Sequence, residues 1–139
     1  MNILIDDIDY PDQAEVNGKR YEIRTNFRNS ILFELMMQDN SLSSKEKVRK
    51  GLALYYPVIP GDLSAAVDTA LWFYRCGKEE TTIQKRMAAR RGKSPVYSFE
   101  HDAGLIYAAF LLAYQIDLQD TRYMHWWRFR ALFNSLPRD

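Results

Sequence analysis

Glu100-His101-Asp102 is the densest run of proton-transferring side chains in the sequence. General acid-base catalysis needs two such groups aimed at one substrate atom, yet neighbours on a helix point about 100° apart. The run therefore reads as acids at the positive end of a helix dipole beside a surface histidine. His125 is the second histidine, and Cys76 is the single cysteine. Two histidines with one cysteine supply no zinc-type framework, so the expectation is no metal and no cofactor. Cys76 stands just before Gly77, at the closing end of an expected helix, whereas thiolates are favoured at helix N-termini. A buried, inert thiol follows. The sequence has neither a Gly-x-Ser-x-Gly elbow nor a Gly-x-x-x-x-Gly-Lys phosphate loop, and no enzymatic activity is expected.

Two clusters point to binding instead. Tyr123, Trp126, Trp127, Phe129 and Phe133 crowd one short segment near the C-terminus, with more aromatic surface than a single inward stripe buries. Trp and Tyr are the residue types that most often dominate protein interfaces, so these five are the candidate partner-binding residues. Trp126 and Trp127 lie about 100° apart on a helix, so one is expected in the core and the other near its rim. The second cluster is a basic connector over residues 78–95, where Lys78, Lys85, Arg86, Arg90, Arg91 and Lys93 face only Glu79 and Glu80. It could neutralise two or three phosphates but lacks interleaved aromatics for base stacking. A mobile, solvated loop is the plainer reading.

These clusters must be carried by a fold, and the sequence is sufficient for one. Its 139 residues, 47% hydrophobic and 27% charged, fit a single domain over 1–139. At that length a core is stable without a disulfide or a metal. A net charge of +1 argues against a dedicated nucleic-acid or membrane-surface binder. The start of the chain carries Asp6, Asp7 and Asp9 and no base through Asp12, unlike a signal peptide. Its greasiest run, Ala103 to Ala113, is too short to span a bilayer. The expectation is a soluble, cytoplasmic protein.

Asn17-Gly18 between short alternating runs predicts a β-hairpin over 14–23, with Ile3 to Ile5 as a further strand. Thr25 is the expected N-cap of a first helix with Phe27, Ile31 and Leu35 on its stripe. Ser43 and Glu46 form a capping box for a second, which buries Val48, Leu52 and Tyr55 and stops at Pro57. Asp62 caps a third with Leu63, Ala66, Val67, Ala70, Leu71 and Tyr74 inward, ending at Gly77. A fourth begins at Ser98 and, apolar on nearly every side from Ala103 to Tyr114, is expected to be the central, most buried helix. A fifth spans Gln119 to Leu136, capped by Asp117 or Asp120. The fold class is mainly α: a helical bundle of about five helices with a small N-terminal hairpin.

Several strings are more specific than composition. Ser30-Ile31-Leu32-Phe33-Glu34-Leu35, Leu54-Tyr55-Tyr56-Pro57, Trp72-Phe73-Tyr74-Arg75-Cys76-Gly77, Tyr97-Ser98-Phe99-Glu100-His101-Asp102 and the run His125 to Phe133 together resemble the bacteriophage gene-product-fifteen family. The resemblance runs from the hairpin to the last helix and fails mainly in the connector. It implies a non-enzymatic tail-region protein of tailed phages and prophages of Gram-positive bacteria, encoded near the tape measure protein and similar to a tail assembly chaperone. No catalytic residues carry over, because the family pattern assigns none. Relatives are expected to continue beyond Leu136-Pro137-Arg138-Asp139 with further helical sequence. The partner implied is the tape measure protein or another tail protein, bound through apolar helical segments, with self-association left open. The alternative is a phage or host regulator that contacts nucleic acid through connector 78–95.

Overall fold

Asn17 and Gly18 adopt φ of 52° and 79°, the left-handed pair that a two-residue hairpin turn requires. They join β1 (Gln13–Val16) to β2 (Lys19–Glu22) antiparallel, with Ala14 opposite Tyr21 and Val16 opposite Lys19. The computed structural model describes residues 10–78 and 98–136. The expected strand Ile3 to Ile5 lies outside them, and so does the connector beyond Lys78. Ala14 and Val16 point inward, and β1 packs on the third helix.

The described residues form five helices: α1 (Phe27–Met37), α2 (Ser44–Tyr55), α3 (Leu63–Tyr74), α4 (Ala103–Tyr114) and α5 (Trp126–Asn134). The protein is mainly α with an N-terminal hairpin. None of these helices is long and apolar enough to cross a membrane. The expected capping box is present: Glu46 N–H donates to Ser43 Oγ at 3.1 Å and Ser43 N–H to Glu46 Oε1 at 3.2 Å. Asp62 likewise accepts from Ala65 N–H at 3.1 Å. Each cap satisfies helix-start donors that have no partner inside the helix.

Several expectations change. Thr25 is not the cap of α1. Asn26 takes that position without a side-chain cap bond, and the buried Thr25 hydroxyl pairs with Tyr123 Oη at 2.5 Å. α5 begins at Trp126 rather than Gln119, because the backbone before it is held in extended pairing. Phe27 N–H donates to Met124 O and Trp126 N–H to Thr25 O, both at 2.8 Å, around a bridge between Asn26 and His125. A chain spending its amides on a distant segment cannot also wind a helix. α4 begins at Ala103 rather than Ser98, because residues 99–102 turn instead, with Ser98 N–H donating to Asp102 Oδ2 at 2.8 Å, and it is not the most buried helix: only Ile106 and Phe110 on it are buried. Val48 and Leu63, expected inside, are 39% and 52% exposed, Val48 because it borders an open groove and Leu63 because it opens the first turn of α3.

The core gathers all five helices and the hairpin around packed rings. Phe33, Tyr55 and Phe73 form one group, and Phe27, Phe110, Trp126 and Phe129 a second. The stacked pair Tyr74 and Trp126, 5.8 Å apart, joins them. Burial pushes the Tyr55 and Tyr74 hydroxyls well above their ordinary value. Both stay neutral, and they hydrogen-bond Ser30 and Glu34 at 2.7 Å.

α3 closes on two left-handed residues, Cys76 at φ 60° and Gly77 at φ 74°. A Cβ at Gly77 would also lie 2.9 Å from Trp127 Cη2. Gly77→Ala therefore combines backbone strain with a ring clash, and its expected cost is about 2 to 4 kcal/mol. Gly18→Ala has a similar φ of 79° but open space around the new methyl, and about 1 kcal/mol is expected. Chemical denaturation of both variants separates the terms, and equal losses would remove Trp127 from the account.

Candidate functional site

The structure divides the five aromatic candidates. Trp126 and Phe129 are core residues, 1% and 0% exposed, which places them out of a partner's reach and corrects their assignment to a binding surface. Trp127 is half-buried beside them. Trp126 is thus the inward residue of the pair and Trp127 the one nearer the rim. Their indole N–H groups donate to Tyr74 O and Phe73 O, each at 2.8 Å, at the end of α3, where Phe73 O also accepts from Cys76 N–H at 3.0 Å. Phe133 is half-buried against Phe99 and Phe129. Tyr123 is 58% exposed and stands before α5 rather than on it. The five do not converge on one surface.

His125 is tied to the backbone through both ring nitrogens. Its Nδ1 accepts from Trp127 N–H at 3.0 Å and caps α5, while its Nε2 donates to Pro11 O at 2.8 Å. Both ring nitrogens are thus committed to backbone, and burial holds the pKa below its ordinary value. His101 is exposed and lies 3.8 Å from Glu100 across an exposed ion contact. No group of three or more His, Cys, Asp or Glu side chains among the described residues is placed to hold a metal. Cys76 is half-buried, and burial pushes its thiol up. The basic residues Lys85, Arg86, Arg90, Arg91 and Lys93 lie outside the described residues.

The concave feature of interest lies between α1, α2 and α3. Phe33 and Met37 form one wall, Val48, Gly51 and Leu52 the floor, and Val67, Ala70 and Leu71 the other wall, around about 240 Å³ open to solvent. Nearly all of its lining is carbon. At Gly51 α2 packs closely on α1, since a Cβ there would sit 2.9 Å from Phe33 Cε1 and 3.3 Å from Met36 Cε. Lys47 stands at the rim and donates to Met37 O at 2.7 Å, where the negative end of α1 favours a cation. Lys50 and Lys47 add their charge to the Ser41 hydrogen bonds that hold Asp39 below its usual pKa.

This groove is too small for most drug-sized ligands, whose pockets start near 300 Å³. It suits one or two apolar side chains presented by a helix. The sequence places Val48, Val67 and Leu71 on inward stripes, but not the gap between those stripes. A glycine in the middle of an otherwise good helix was the local signal that another element comes close there.

A family model described as "Bacteriophage Gp15 protein" matches residues 6–139. Compared with curated proteins and with solved structures, the chain matches none of them.

Proposed function

The chain belongs to the bacteriophage Gp15 protein family, and we propose that this phage protein is a non-enzymatic tail morphogenesis factor. In this reading it is a tail assembly chaperone that works in the host cytoplasm and holds apolar helical segments of the tape measure protein. The open groove between α1, α2 and α3 carries the reading, since its carbon lining matches the apolar face of a helix. Affinity comes from burying one or two large side chains against Phe33, Val48 and Leu71. Such a complex is reversible, as a chaperone's must be, because a single buried aliphatic side chain contributes only about 1.5 to 3 kcal/mol.

The test is pull-down and calorimetric titration with overlapping tape measure fragments of the same phage. Val48→Asp puts a carboxylate on the groove floor, beside exposed surface, and an at least tenfold loss of affinity is expected, with the thermal melt unchanged. Val58→Asp lies at an exposed loop outside the groove and is expected to bind as wild type. Affinity that ignores Val48→Asp and disappears in salt would sink the groove reading. Salt-dependent capture of duplex DNA through Lys85, Arg86, Arg90, Arg91 and Lys93 would then become the better account.

A further inference from the structure

α4 carries no charged side chain from Ala103 to Tyr114, yet Leu105 is 64%, Leu111 41% and Leu112 84% exposed. Single exposed leucines are ordinary on a soluble protein, but three on one helix face form a patch. At about 100° per residue, Gly104, Leu105, Leu111 and Leu112 all fall within about 60° of a line through Ala108. Buried Ile106 and Phe110 take the opposite side. Leu105 and Leu112 share one flank of that line, and Gly104 and Leu111 share the other. A Cβ at Gly104 would meet nothing within 4 Å, so the notch there is open.

We propose that this face is a dimerisation surface, and that its occupant is α4 of a second copy of this chain, antiparallel about a two-fold axis at Ala108. In that arrangement Leu105 of each copy meets Leu112 of the other. Leu111 enters the notch at Gly104, and Ala108 faces its own counterpart, so the two helix axes can approach closely. A two-fold contact sets a surface against itself, and any charge near the axis would oppose its own copy. Twelve residues without a charge remove that repulsion and leave a charged partner without a counter-charge. The antiparallel helix dipoles add a small attraction. Three leucines and the small residues between them make a patch smaller than the roughly 800 Å² per partner of a standard interface. The dimer is accordingly weak and reversible, with a dissociation constant on the order of micromolar.

Sedimentation velocity of the full chain tests this over about a hundredfold concentration range centred on the micromolar. Wild type is expected to shift from monomer to dimer, and Leu112→Asp to stay monomeric, with the same thermal melt as wild type at concentrations where wild type is monomeric. In a Cys76→Ser background, Ala108→Cys is expected to give a covalent dimer with a short bis-maleimide, and Val58→Cys to give none. A monomer at every concentration overturns the proposal, as does a dimer that survives Leu112→Asp. A lower melting temperature in Leu112→Asp than in wild type, both measured at concentrations where wild type is monomeric, also overturns it, because another part of the same chain would then occupy the face. Val48→Asp is expected to leave dimerisation intact, so failure of the groove reading and failure of this one are separable.

Discussion

Replacing Phe129 by alanine is expected to lower the unfolding free energy by about 3 to 5 kcal/mol, among the largest effects of any single truncation in this chain. Its ring is fully buried. It stacks on Phe27 and Phe110 at 5.0 Å each and on Trp126 at 5.6 Å, with Phe99 and Phe133 near 6 Å. These rings come from α1, from the turn before α4, from α4 and from α5, so removing one side chain leaves a cavity at the meeting point of elements distant in sequence. The aromatic contacts add to the transfer term, because offset rings interact beyond their buried area. Phe133 is on the same helix but half-buried, and Phe133→Ala is expected to cost about 1 to 2 kcal/mol. Urea titration with a constant m-value gives both numbers. A loss below about 1.5 kcal/mol for Phe129→Ala would mean that the rings close over the gap and that the core is less tightly packed than it looks.

How legible each feature was depended on how local its cause is. The Ser43-Glu46 box, the Asp62 cap and the Asn17-Gly18 turn are settled within four residues, and all three stand as the sequence indicates. The fold class followed from such signals summed along the chain. α4 misled because an all-round apolar helix has no periodicity to say which face is covered, and three of its leucines remain on the surface. The start of α5 misled for a different reason. Gln119 to Leu136 has helical composition, but backbone pairing with residues 25–27 holds the chain extended up to His125, and no local pattern encodes a bond to a segment about a hundred positions away. Separation in sequence, 52 and 54 positions, likewise hid the indole bonds of Trp126 and Trp127 to the end of α3. The groove was legible only in pieces. Val48 and Leu71 carried the helical period, but the close approach at Gly51 and the space beside those side chains are properties of packing.

His125 is the hinge of that distant pairing, and stability is expected to fall as pH drops from 6.5 toward 5. Its neutral ring donates from Nε2 to Pro11 O and accepts at Nδ1 from Trp127 N–H. It also stacks on Tyr10 at 4.8 Å and meets Phe73 edge-on at 5.5 Å. Protonation at Nδ1 would put a donor opposite a donor, and burial opposes the charge as well. The Pro11 carbonyl and the Asp12 carboxylate favour the cation, but burial is the larger effect and the folded pKa lies below 6.5. The unfolded chain therefore binds more protons in this window, and stability rises with pH through it. The benefit of the neutral ring is complete above 6.5 and is lost as pH falls toward the folded value. Asp39, Glu46 and Asp62 also have lowered pKa values, but their unfolded values of 3.8 to 4.5 put their losses below pH 5. His125→Asn keeps a capping oxygen but cannot titrate. It is expected to cost about 1 to 2 kcal/mol at pH 8 through the lost ring contacts and Pro11 bond, and to flatten the profile between pH 5 and 6.5. His125→Ala, which also removes the cap, is expected to cost about 2 to 4 kcal/mol. With the exposed His101 replaced by glutamine in every background, urea titrations at pH 5, 6, 7 and 8 read this one ring. Parallel pH profiles with and without the His125→Asn substitution would show that the ring carries no part of the acid sensitivity, and would return the capping bond to a purely structural role.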